Sequence, residues 1–366
     1  KLLNVSDIII SARGTVGKTV VCGVPVAFNQ SCYALRSKSN ELDQDFLYYL
    51  INFHVTLLKK KATGGVFDTI ITDTLKNLEI SLPSLSTQQK IASVLSNYDN
   101  LIENNTRRIE ILEEMAQRIY KEWFVDFKYP GYENDELVDS DLGMIPEGWD
   151  INNIGDFIQY HIGGGWGKEE LSEEFDTSGY VIRGTDIPLA KHGSIIKCPY
   201  RYHKSSNMKS RELKTGDIVF EVSGGSKDQP LGRALLINKE LLNSFNDKVM
   251  CASFCKLIRP SNFSEYIYLH LLDIYRNREI MKYQVQSTGI SNFKFQTFHD
   301  GHKIIKPTRN ILDECTELVS PIFSQMQILG KNNNNRRQTR DLLLPKLISG
   351  KIDVSNLDID TSILYD

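Results

Sequence analysis

The stretch that decides the fold is residues 86–127, which read STQQKIASVLSNYDNLIENNTRRIEILEEMAQRIYKEWFVDF. Apolar residues recur every seven positions along two rows, as the seam of a coiled coil requires. Pro83 ends the preceding segment, and Ser86 followed by Gln89 is typical of a capping box at a helix start. The pattern therefore predicts one long helix. Its two seam rows are Leu95–Ile102–Ile109–Ala116–Trp123 and Tyr98–Asn105–Leu112–Ile119.

A second long helix is predicted after Pro307. Pro321 is expected to kink this helix or to cut off its first turns, because proline removes a helical hydrogen bond. The run from Asn332 to Asn335 is a polar interruption, where the seam is expected to be weak or broken. Each helix would hold roughly 40 residues and measure about 60 Å. The two are expected to pair antiparallel, as a rigid spacer between two globular units. The seam rows of the second helix are Leu312–Val319–Met326 and Cys315–Ile322–Leu329.

An internal repeat relates residues 1–127 to residues 217–352. Both copies open on an aspartate, apolar strand formers and a loop of small residues: DIIISARGTVGK from Asp7 and DIVFEVSGGSKDQPLGR from Asp217. An aromatic helical segment, a Thr-Gly pair, a strand ending in proline and a long helix then follow in the same order. Six matching elements in one order indicate a duplication. The Thr-Gly pairs are Thr63-Gly64 and Thr288-Gly289.

The predicted fold class is α+β, with two mixed, mainly β domains joined by the two antiparallel coiled-coil helices in a pseudo-two-fold repeat. The predicted boundaries are residues 1–83 for the first domain, 84–128 for the central helix, 129–307 for the second domain, 308–350 for the distal helix and 351–366 for a tail. Because the chain opens on Lys1 beside a strand, the first domain is expected to lack its N-terminal part.

The second domain is expected to be Greek-key-like, with one or two helices, because short apolar runs alternate with Gly and Ser. One of its helices is predicted around Phe263–Tyr283. The predicted strands lie around Ile154–Tyr160, Tyr180–Arg183, Ile195–Lys197 and Ile218–Val222.

Charge is strongly segregated along a chain whose net charge is only -3. Residues 129–180 hold one Lys or Arg against thirteen Asp or Glu, a net charge of -12. Residues 181–259 hold fourteen against seven, a net charge of +7. A basic block inside an acidic protein can hold a phosphate backbone, although each charge could also simply solvate a surface.

No catalytic constellation is visible in the sequence. It lacks a GxSxG elbow, an HExxH helix and a paired-carboxylate nuclease pattern. The glycine-rich stretch from Gly163 to Lys168 fails as a phosphate loop, because Ile162 stands where the first glycine should be and Glu169 where a hydroxyl is needed. It is better explained as a mobile loop that approaches another backbone closely. No cofactor and no metal site are predicted, and the six cysteines indicate reduced thiols.

Several segments resemble the specificity subunit of type I restriction–modification enzymes. They include VIRGTDI from Val181, KTGDIVFEVSG from Lys214, QSTGISNF from Gln286 and RRQTRDLLLPKLISGKI from Arg336, besides the long helix quoted above. The resemblance covers essentially the whole chain. It implies two target-recognition domains on an antiparallel helix pair, without catalytic activity. It further implies that two methyltransferase subunits and the restriction–translocase subunits are directed to a bipartite sequence in double-stranded DNA.

The residues expected to contact DNA are loop residues carried over by motif position. In the second domain they are Trp166, Lys168, Arg183, Thr185, Ser223, Lys227, Arg233, Ser291, Asn292 and Lys294. In the first domain they are Arg13, Thr15, Lys18 and Thr63.

Arg183 is the residue most specifically expected to read a base. It follows a strand and precedes the turn Gly184-Thr185-Asp186, and an arginine there can donate two parallel hydrogen bonds to guanine. Lys204 and Lys209 lie in a stretch rich in Ser and Asn, so contacts with phosphates are expected for them.

Two other classes of protein remain open at this stage. The chain could be the recognition region of a fused restriction–methylation enzyme, or a coiled-coil scaffold that binds only protein. No apolar run reaches the length of a membrane span and no signal peptide is seen, so a cytoplasmic location without membrane contact is expected.

Overall fold

The structure is a computed structural model that describes residues 2–61, 70, 72–224, 229–287 and 290–362. The chain divides into two compact units. Unit 1 comprises residues 1–104 and 335–366, and unit 2 comprises residues 105–334. Each unit therefore contains one half of each long helix.

Unit 1 contains a small antiparallel sheet in the order β3–β2–β5, with a helix packed on it. Ile8, Ile10 and Leu47 are among the buried residues of this core. Its elements are β1 Leu2–Leu3, β2 Ile8–Ser11, β3 Thr19–Val21, β4 Val26–Ala27, β5 Cys32–Leu35, α1 Gln44–Lys61, α2 Thr72–Lys76 and the first half of α3 Leu85–Phe124.

Unit 2 contains the larger globular part, from Leu137 to Lys306, followed by the first half of a second long helix. Its strands are β6 Leu137–Ser140, β7 Gly143–Pro146, β8 Asp150–Asn153, β9 Ile158–Gly163, β10 Thr177–Ile182, β11 Tyr200–His203, β12 Ile218–Glu221, β13 Ser223–Gly224, β14 Ala234–Leu236, β15 Val249–Cys251, β16 Cys255–Pro260, β17 Gln284–Ser287, β18 Ile290–Phe293 and β19 Lys303–Lys306. Its helices are α4 Ile187–Lys191, α5 Ser205–Arg211, α6 Lys239–Leu242, α7 Ser264–Arg276, α8 Phe295–Gly301 and α9 Arg309–Ile348.

The strands of unit 2 form several small sheets rather than one large one. A four-stranded antiparallel sheet has the order β14–β12–β16–β9. Beside it lie three-stranded sheets in the orders β11–β10–β15 and β13–β18–β17, where β10 and β15 run parallel. Phe220, Phe293 and Phe298 pack their rings together behind these strands, so the aromatic residues form the centre of the core.

The first long helix, α3, runs without interruption for 40 residues. Every residue of the row from Leu95 to Trp123 is buried, as predicted. The predicted capping box is wrong, because the helix begins at Leu85, one residue before Ser86. Ser84 caps it instead, since its hydroxyl accepts a hydrogen bond from the Thr87 N–H at 3.3 Å.

The second long helix, α9, is also 40 residues long. It continues through Pro321, so the expected cut in its first turns is wrong. Asn333 and Asn334 are buried, although a weak or broken seam was expected there. Asn333 Oδ1 accepts a hydrogen bond from Asn105 Nδ2 at 2.9 Å, which makes this position a polar layer between the two helices.

Polar residues of α9 also donate hydrogen bonds to carbonyls at the C-terminal end of α4. The Nδ2 of Asn334 donates to the carbonyl of Gly193 at 2.9 Å, and Nε2 of Gln327 donates to the carbonyl of Ala190 at 3.0 Å. Carbonyls at a helix C-terminus have no intrahelical partner, so these side chains supply one. Gly330 permits the approach, because a Cβ there would lie 1.8 Å from the His192 carbonyl oxygen.

Both halves of the helix pair are antiparallel, as predicted. In unit 2 the early residue Asn105 meets the late residue Asn333. In unit 1 Asp99 forms an ion pair with Arg340 and also accepts a hydrogen bond from the Tyr49 hydroxyl at 2.7 Å. Residues of the last segment lie on α3, where the Lys90 ammonium donates to the Ser355 carbonyl at 2.7 Å.

Details of the second domain differ from the prediction. Residues 195–197 are not a strand, and the strand that pairs with β10 is Tyr200–His203. The residues 154–157 form a 3₁₀ turn, and β9 begins only at Ile158. The domain has more helices than the one or two expected, because α4, α5, α6 and α8 are single short helices of four to seven residues besides α7. Across the described residues, the helices lack a stretch apolar and long enough to cross a membrane.

Candidate nucleic-acid interface

The same ion pair supports the repeated strands in both units. In unit 1, Arg36 Nε donates to Asp7 Oδ1 at 2.5 Å, and the Asn4 N–H donates to Asp7 Oδ2 at 2.7 Å. The hydrogen bond from Arg36 lowers the pKa of Asp7, against the opposing effect of burial. The carboxylate therefore stays charged at the start of β2, the strand that leads into the predicted contact loop.

In unit 2, Arg259 Nε donates to Asp217 Oδ1 at 2.6 Å, and Nη2 donates to Oδ2 at 2.7 Å. The Lys214 N–H donates to Asp217 Oδ2 at 2.6 Å, from the same three-residue spacing as in unit 1. The aspartates were singled out from the sequence, but their arginine partners were missed because they lie on a strand far along the chain.

Backbone hydrogen bonds repeat with the same pattern. The Cys22 N–H donates to the Asp7 carbonyl at 2.8 Å, as the Ile237 N–H does to the Asp217 carbonyl at 2.8 Å. The Ile70 N–H donates to the Ala12 carbonyl at 3.0 Å and so holds the loop after β2. In the same way, the Phe293 N–H donates to the Val222 carbonyl at 2.8 Å and holds the loop after β12. The two halves of the sequence therefore build the same scaffold under the predicted contact loops.

Arg183 is held by an acidic residue three positions along. Its Nε and Nη2 each donate to the Asp186 carboxylate at 2.8 Å, and Nη2 also donates to the Lys197 carbonyl at 2.8 Å. Only 2% of the Asp186 side chain is exposed, against 37% of Arg183. The hydrogen bonds of this guanidinium therefore close the turn, whereas Thr185 at the tip of the turn is exposed.

Arg233 is held in a similar way by Glu221. Its Nε donates to Glu221 Oε2 at 2.8 Å, and the side chains of both residues are largely buried. Gly184 lies directly against this pair, because a Cβ at Gly184 would be 2.6 Å from Glu221 Oε1. The structure therefore brings the segments around Arg183 and Arg233 together, with both guanidinium groups already paired.

The small strands β13 and β18 bring three predicted residues together. Ser223 lies opposite Asn292, and its hydroxyl donates to Asn292 Oδ1 at 2.7 Å. Ser291 lies opposite Gly224 and is buried, whereas Asn292 is exposed. Lys294 follows this strand and is exposed. The predicted contacts Lys227 and Thr63 lie outside the described residues.

The glycine-rich loop from Gly163 to Lys168 is fixed by its backbone. The Gly164 and Gly165 N–H groups donate to the Cys255 and Cys251 carbonyls, each at 2.9 Å. A Cβ on Gly164 would lie 2.2 Å from the Ala252 carbonyl oxygen. The expected close approach of two backbones is present, but the loop is bonded at several points rather than mobile.

Aromatic and basic side chains alternate on the outer side of this loop. The Arg201 guanidinium lies over the Trp166 ring, 4.8 Å from its centroid, and 41% of Trp166 is exposed. Lys168 and Lys204 lie over the Phe175 ring at 5.7 and 5.6 Å. We call these five residues the aromatic–basic patch. Basic groups over exposed rings are suited to phosphates and bases.

Arg201 and Phe175 were missed by the sequence analysis. The available signal was the alternation Tyr200-Arg201-Tyr202-His203 on one strand, where every second side chain faces the same side. His203, on the same face as Arg201, is 2% exposed, and burial lowers its pKa, so it is neutral near pH 7. Its Nε2 finds no hydrogen-bond partner among the residues that the structure describes.

Three of the predicted contact residues of unit 1 lie on one loop. Arg13, Thr15 and Lys18 are all exposed between β2 and β3. Ser11 shapes this loop, because its hydroxyl oxygen accepts a hydrogen bond from the Lys18 N–H at 2.9 Å. In unit 2 the corresponding strand end carries Glu221. The two loops thus share a scaffold but differ in the side chains that they present.

Comparison with known proteins supports the arrangement. A family model described as the type I restriction modification DNA specificity domain matches residues 1–114. The type I restriction enzyme MjaIX specificity subunit of Methanocaldococcus jannaschii is 28% identical over 360 residues, which cover 96% of this chain and 78% of that protein. The HindI specificity subunit of Haemophilus influenzae is 23% identical, with 87% of this chain and 79% of that protein covered.

A solved structure shares the fold. The crystal structure of the type I restriction–modification system S subunit from M. genitalium matches with a TM-score of 0.54 and 18% identity, over 95% of this chain and 84% of that chain. The long helices, the repeated scaffold and these matches agree with one another. In sequence the chain is similar to the specificity subunits of type I restriction–modification systems, and in fold it is similar to a solved S subunit.

Proposed function

We propose that this chain is the noncatalytic specificity subunit of a type I restriction–modification complex and reads a bipartite sequence in double-stranded DNA. The observation that carries the proposal is the duplicated scaffold: Asp7 with Arg36, and Asp217 with Arg259, each fix the start of a strand that leads into a predicted contact loop. Two loop systems with one backbone design and different side chains are suited to reading two different short sequences.

The side chains on these loops favour a polyanionic ligand. Arg13 and Lys18 are exposed in unit 1, and Trp166 and Lys168 of the aromatic–basic patch are exposed in unit 2. Phosphate contacts supply affinity, while contacts with base edges supply specificity. Residues such as Thr185 and Asn292, which are exposed and carry donors and acceptors, can add base contacts.

Protein partners are part of the proposal. Two methyltransferase subunits would bind the long helices, and restriction–translocase subunits would join through the complex. Large apolar side chains exposed on both helices support this, because a seam residue would instead be buried. They are Leu101, Ile111 and Met115 on α3, and Leu318, Ile328 and Leu342 on α9.

The experiment compares the chain alone with the chain co-expressed with its methyltransferase. We expect methyl transfer from a labelled donor to DNA only in the complex, with two methyltransferase subunits per chain by native mass spectrometry. DNA binding by the complex should weaken steeply with salt. Methyl transfer by the chain alone would contradict a noncatalytic role. Salt-independent or absent DNA binding by the complex would indicate a protein-only scaffold.

A further inference from the structure

We propose that Arg201 is a base-reading residue of the second recognition domain, with Trp166 as its stacking platform and Glu169 as the carboxylate that it exchanges for DNA. The inference rests on the proposed function, since it names a specificity-determining residue of that interface. Neither Arg201 nor Glu169 was expected to contact DNA from the sequence.

The contacts of Arg201 leave part of its donor capacity unused. Nη1 contacts Glu169 Oε1 at 2.7 Å. Nε is buried, and within the described part of the chain it has no hydrogen-bond acceptor. A guanidinium has five N–H donors in one plane, so a buried donor without an acceptor marks a group whose best partner is not yet in place.

Trp166 supports this guanidinium from one side. The Cζ atom of Arg201 lies 4.8 Å from the ring centroid, and the side chain of Arg201 is only 15% exposed. Stacking holds a guanidinium flat while leaving its edge available, which is the geometry that a bidentate contact with guanine requires. Trp166 is itself held by the loop, because Lys168 and Tyr202 exchange backbone hydrogen bonds at 2.9 Å.

The partner carboxylate distinguishes Arg201 from Arg183, Arg233 and Arg259. Asp186, Glu221 and Asp217 have side chains 2%, 3% and 1% exposed, so the arginines that pair with them cannot leave without stranding a buried charge. Glu169 is 80% exposed. Its carboxylate regains water when it is displaced, so Arg201 can exchange it for a base edge at little cost.

Charge around the site agrees with this exchange. Glu169 and Glu174 belong to the acidic stretch 169–176, and Glu174 forms an ion pair with Lys204 of the aromatic–basic patch. Before DNA binds, these exposed carboxylates neutralise the cations that DNA would contact. Phosphates repel carboxylates, so an approaching duplex favours their displacement from the patch.

The test uses the full chain in complex with its methyltransferase subunits and a library of random-sequence duplexes. The wild-type complex first defines the preferred sequence, and labelled matched and mismatched duplexes then measure affinity. We expect Arg201→Ala to lose the base preference at one position of one half-site, with about 10- to 100-fold lower affinity for the matched duplex and unchanged affinity for unrelated DNA. Arg201→Lys should lose the same preference, because lysine keeps the charge but not the planar fork.

Two further variants sharpen the result. Glu169→Gln should raise affinity for unrelated DNA a few-fold and keep the sequence preference. Arg309→Ala is the matched control, because Arg309 is 79% exposed at the start of α9 and pairs only with the neighbouring Asp313 carboxylate among its described contacts. It should behave as wild type.

The outcomes separate this inference from the proposed function. An unchanged preference in Arg201→Ala, an equal weakening on all sequences, or full function in Arg201→Lys would each overturn the base-reading role while the proposed function stands. A wild-type complex that selects no sequence would overturn the proposed function, and this inference with it. Thermal unfolding of each variant shows whether a loss of DNA binding comes from misfolding. If Arg201→Ala misfolds, Glu169→Gln still tests the exchange, because the Glu169 side chain is exposed.

Discussion

Three arginines of unit 2 serve the fold through buried carboxylates. Arg183, Arg233 and Arg259 each make paired hydrogen bonds with one acidic side chain. The hydrogen bond that Arg183 donates to Asp186 raises the pKa of Arg183, and the one that Arg233 donates to Glu221 raises the pKa of Arg233. We therefore expect the exposure of the carboxylate that an arginine faces, besides its place in a contact loop, to decide whether the arginine is available to read a base.

Arg183→Ala tests this distinction. Removing Arg183 leaves the Asp186 carboxylate buried without a cation, so we expect a loss of about 1–3 kcal/mol in the free energy of unfolding. Arg183→Ala combined with Asp186→Asn should lose less, because the stranded charge is gone. Urea unfolding followed by circular dichroism measures both. A single variant as stable as wild type, with altered base preference, would return Arg183 to the base-reading role expected from the sequence.

Buried histidines form a hydrogen-bonded chain in unit 2. The Tyr120 hydroxyl contacts His270 Nδ1 at 2.8 Å, His270 Nε2 contacts His302 Nε2 at 2.7 Å, and His302 Nδ1 contacts the Tyr283 hydroxyl at 3.0 Å. Two facing Nε2 atoms can share one proton but not two. Burial, with Lys282 nearby, lowers the pKa of His302 to about 4, and burial lowers that of His270 well below its ordinary value.

These histidines predict acid sensitivity. An unfolded histidine binds its proton near pH 6.5, and the folded ones bind theirs at lower pH, so unfolding takes up protons between about 6.5 and 4. The free energy of unfolding should therefore decrease as the pH is lowered from about 6.5 to 4, by up to about 1.4 kcal/mol per pH unit for each histidine. His302→Asn should flatten this slope in urea unfolding measured across the window. An equally steep slope in the variant would contradict the assignment.

The sequence was sufficient to identify the loops and their aspartates, but not the arginines that pair with those aspartates. Asp7 and Asp217 were found because each opens a repeated motif. Arg36 and Arg259 were not, because the pairing of strands that joins them to the aspartates is a tertiary event. The same limit applies to Arg201, whose role depends on Trp166 from another strand end.

At the scale of elements, the helix pair has a polar layer at its centre. Asn105 and Asn333 are buried and hydrogen-bonded to each other across the pair. A buried asparagine pair in a coiled coil fixes the register at a cost in stability, since a one-turn slip would leave both amides without partners. The run of asparagines thus specifies the pairing.

Asn333→Leu tests the polar layer. We expect a loss of about 1–3 kcal/mol, because the Asn105 amide stays buried without this partner. Adding Asn105→Leu should recover most of the loss, since both polar groups are then replaced by apolar ones. Urea unfolding of the single and double variants measures the difference. A double variant no more stable than the single one would show that the amides do not act as a pair.

The glycine loop gives a second prediction with a built-in control. Gly164→Ala should cost about 1–3 kcal/mol, because its Cβ would meet two carbonyl oxygens at 2.2 Å and the strands must separate. Gly163→Ala should stay within about 0.5 kcal/mol, because nothing lies within 4 Å of its Cβ. Thermal unfolding compares them, and equal effects would contradict the tight packing of this loop.

Periodicity predicted the long elements well and the short ones poorly. The row from Leu95 to Trp123 in α3 and both rows of α9 are buried, because a seven-residue repeat over many turns leaves one consistent solution, whereas Tyr98, Leu112 and Ile119 of the second α3 row are half-buried. Pro321 did not interrupt α9, since the apolar packing on either side outweighs one missing hydrogen bond. Residues 195–197 form a turn, in which the Cys198 N–H donates to the Ile195 carbonyl at 3.0 Å, and β10 pairs instead with Tyr200–His203.

At the scale of the whole molecule, the duplication is the feature with the most functional content. The Asp–Arg support, the backbone bonds beneath the loops and the following helices recur in both units, while the exposed side chains differ. A scaffold that occurs twice, with different side chains on its loops, is suited to carrying two separate specificities in one chain. The order of motifs in the sequence was sufficient to predict this repeat.

Sequence selection with the intact methyltransferase complex tests this account most directly. Duplexes bound from a random library, confirmed by mapping the methylated bases, should share two short specific sequences separated by a spacer of fixed length and unspecified sequence. Substituting Arg13 and Lys18 together should alter one half, and substituting Arg201 should alter the other. A single uninterrupted recognition sequence, or both halves changed by either substitution, would contradict the account.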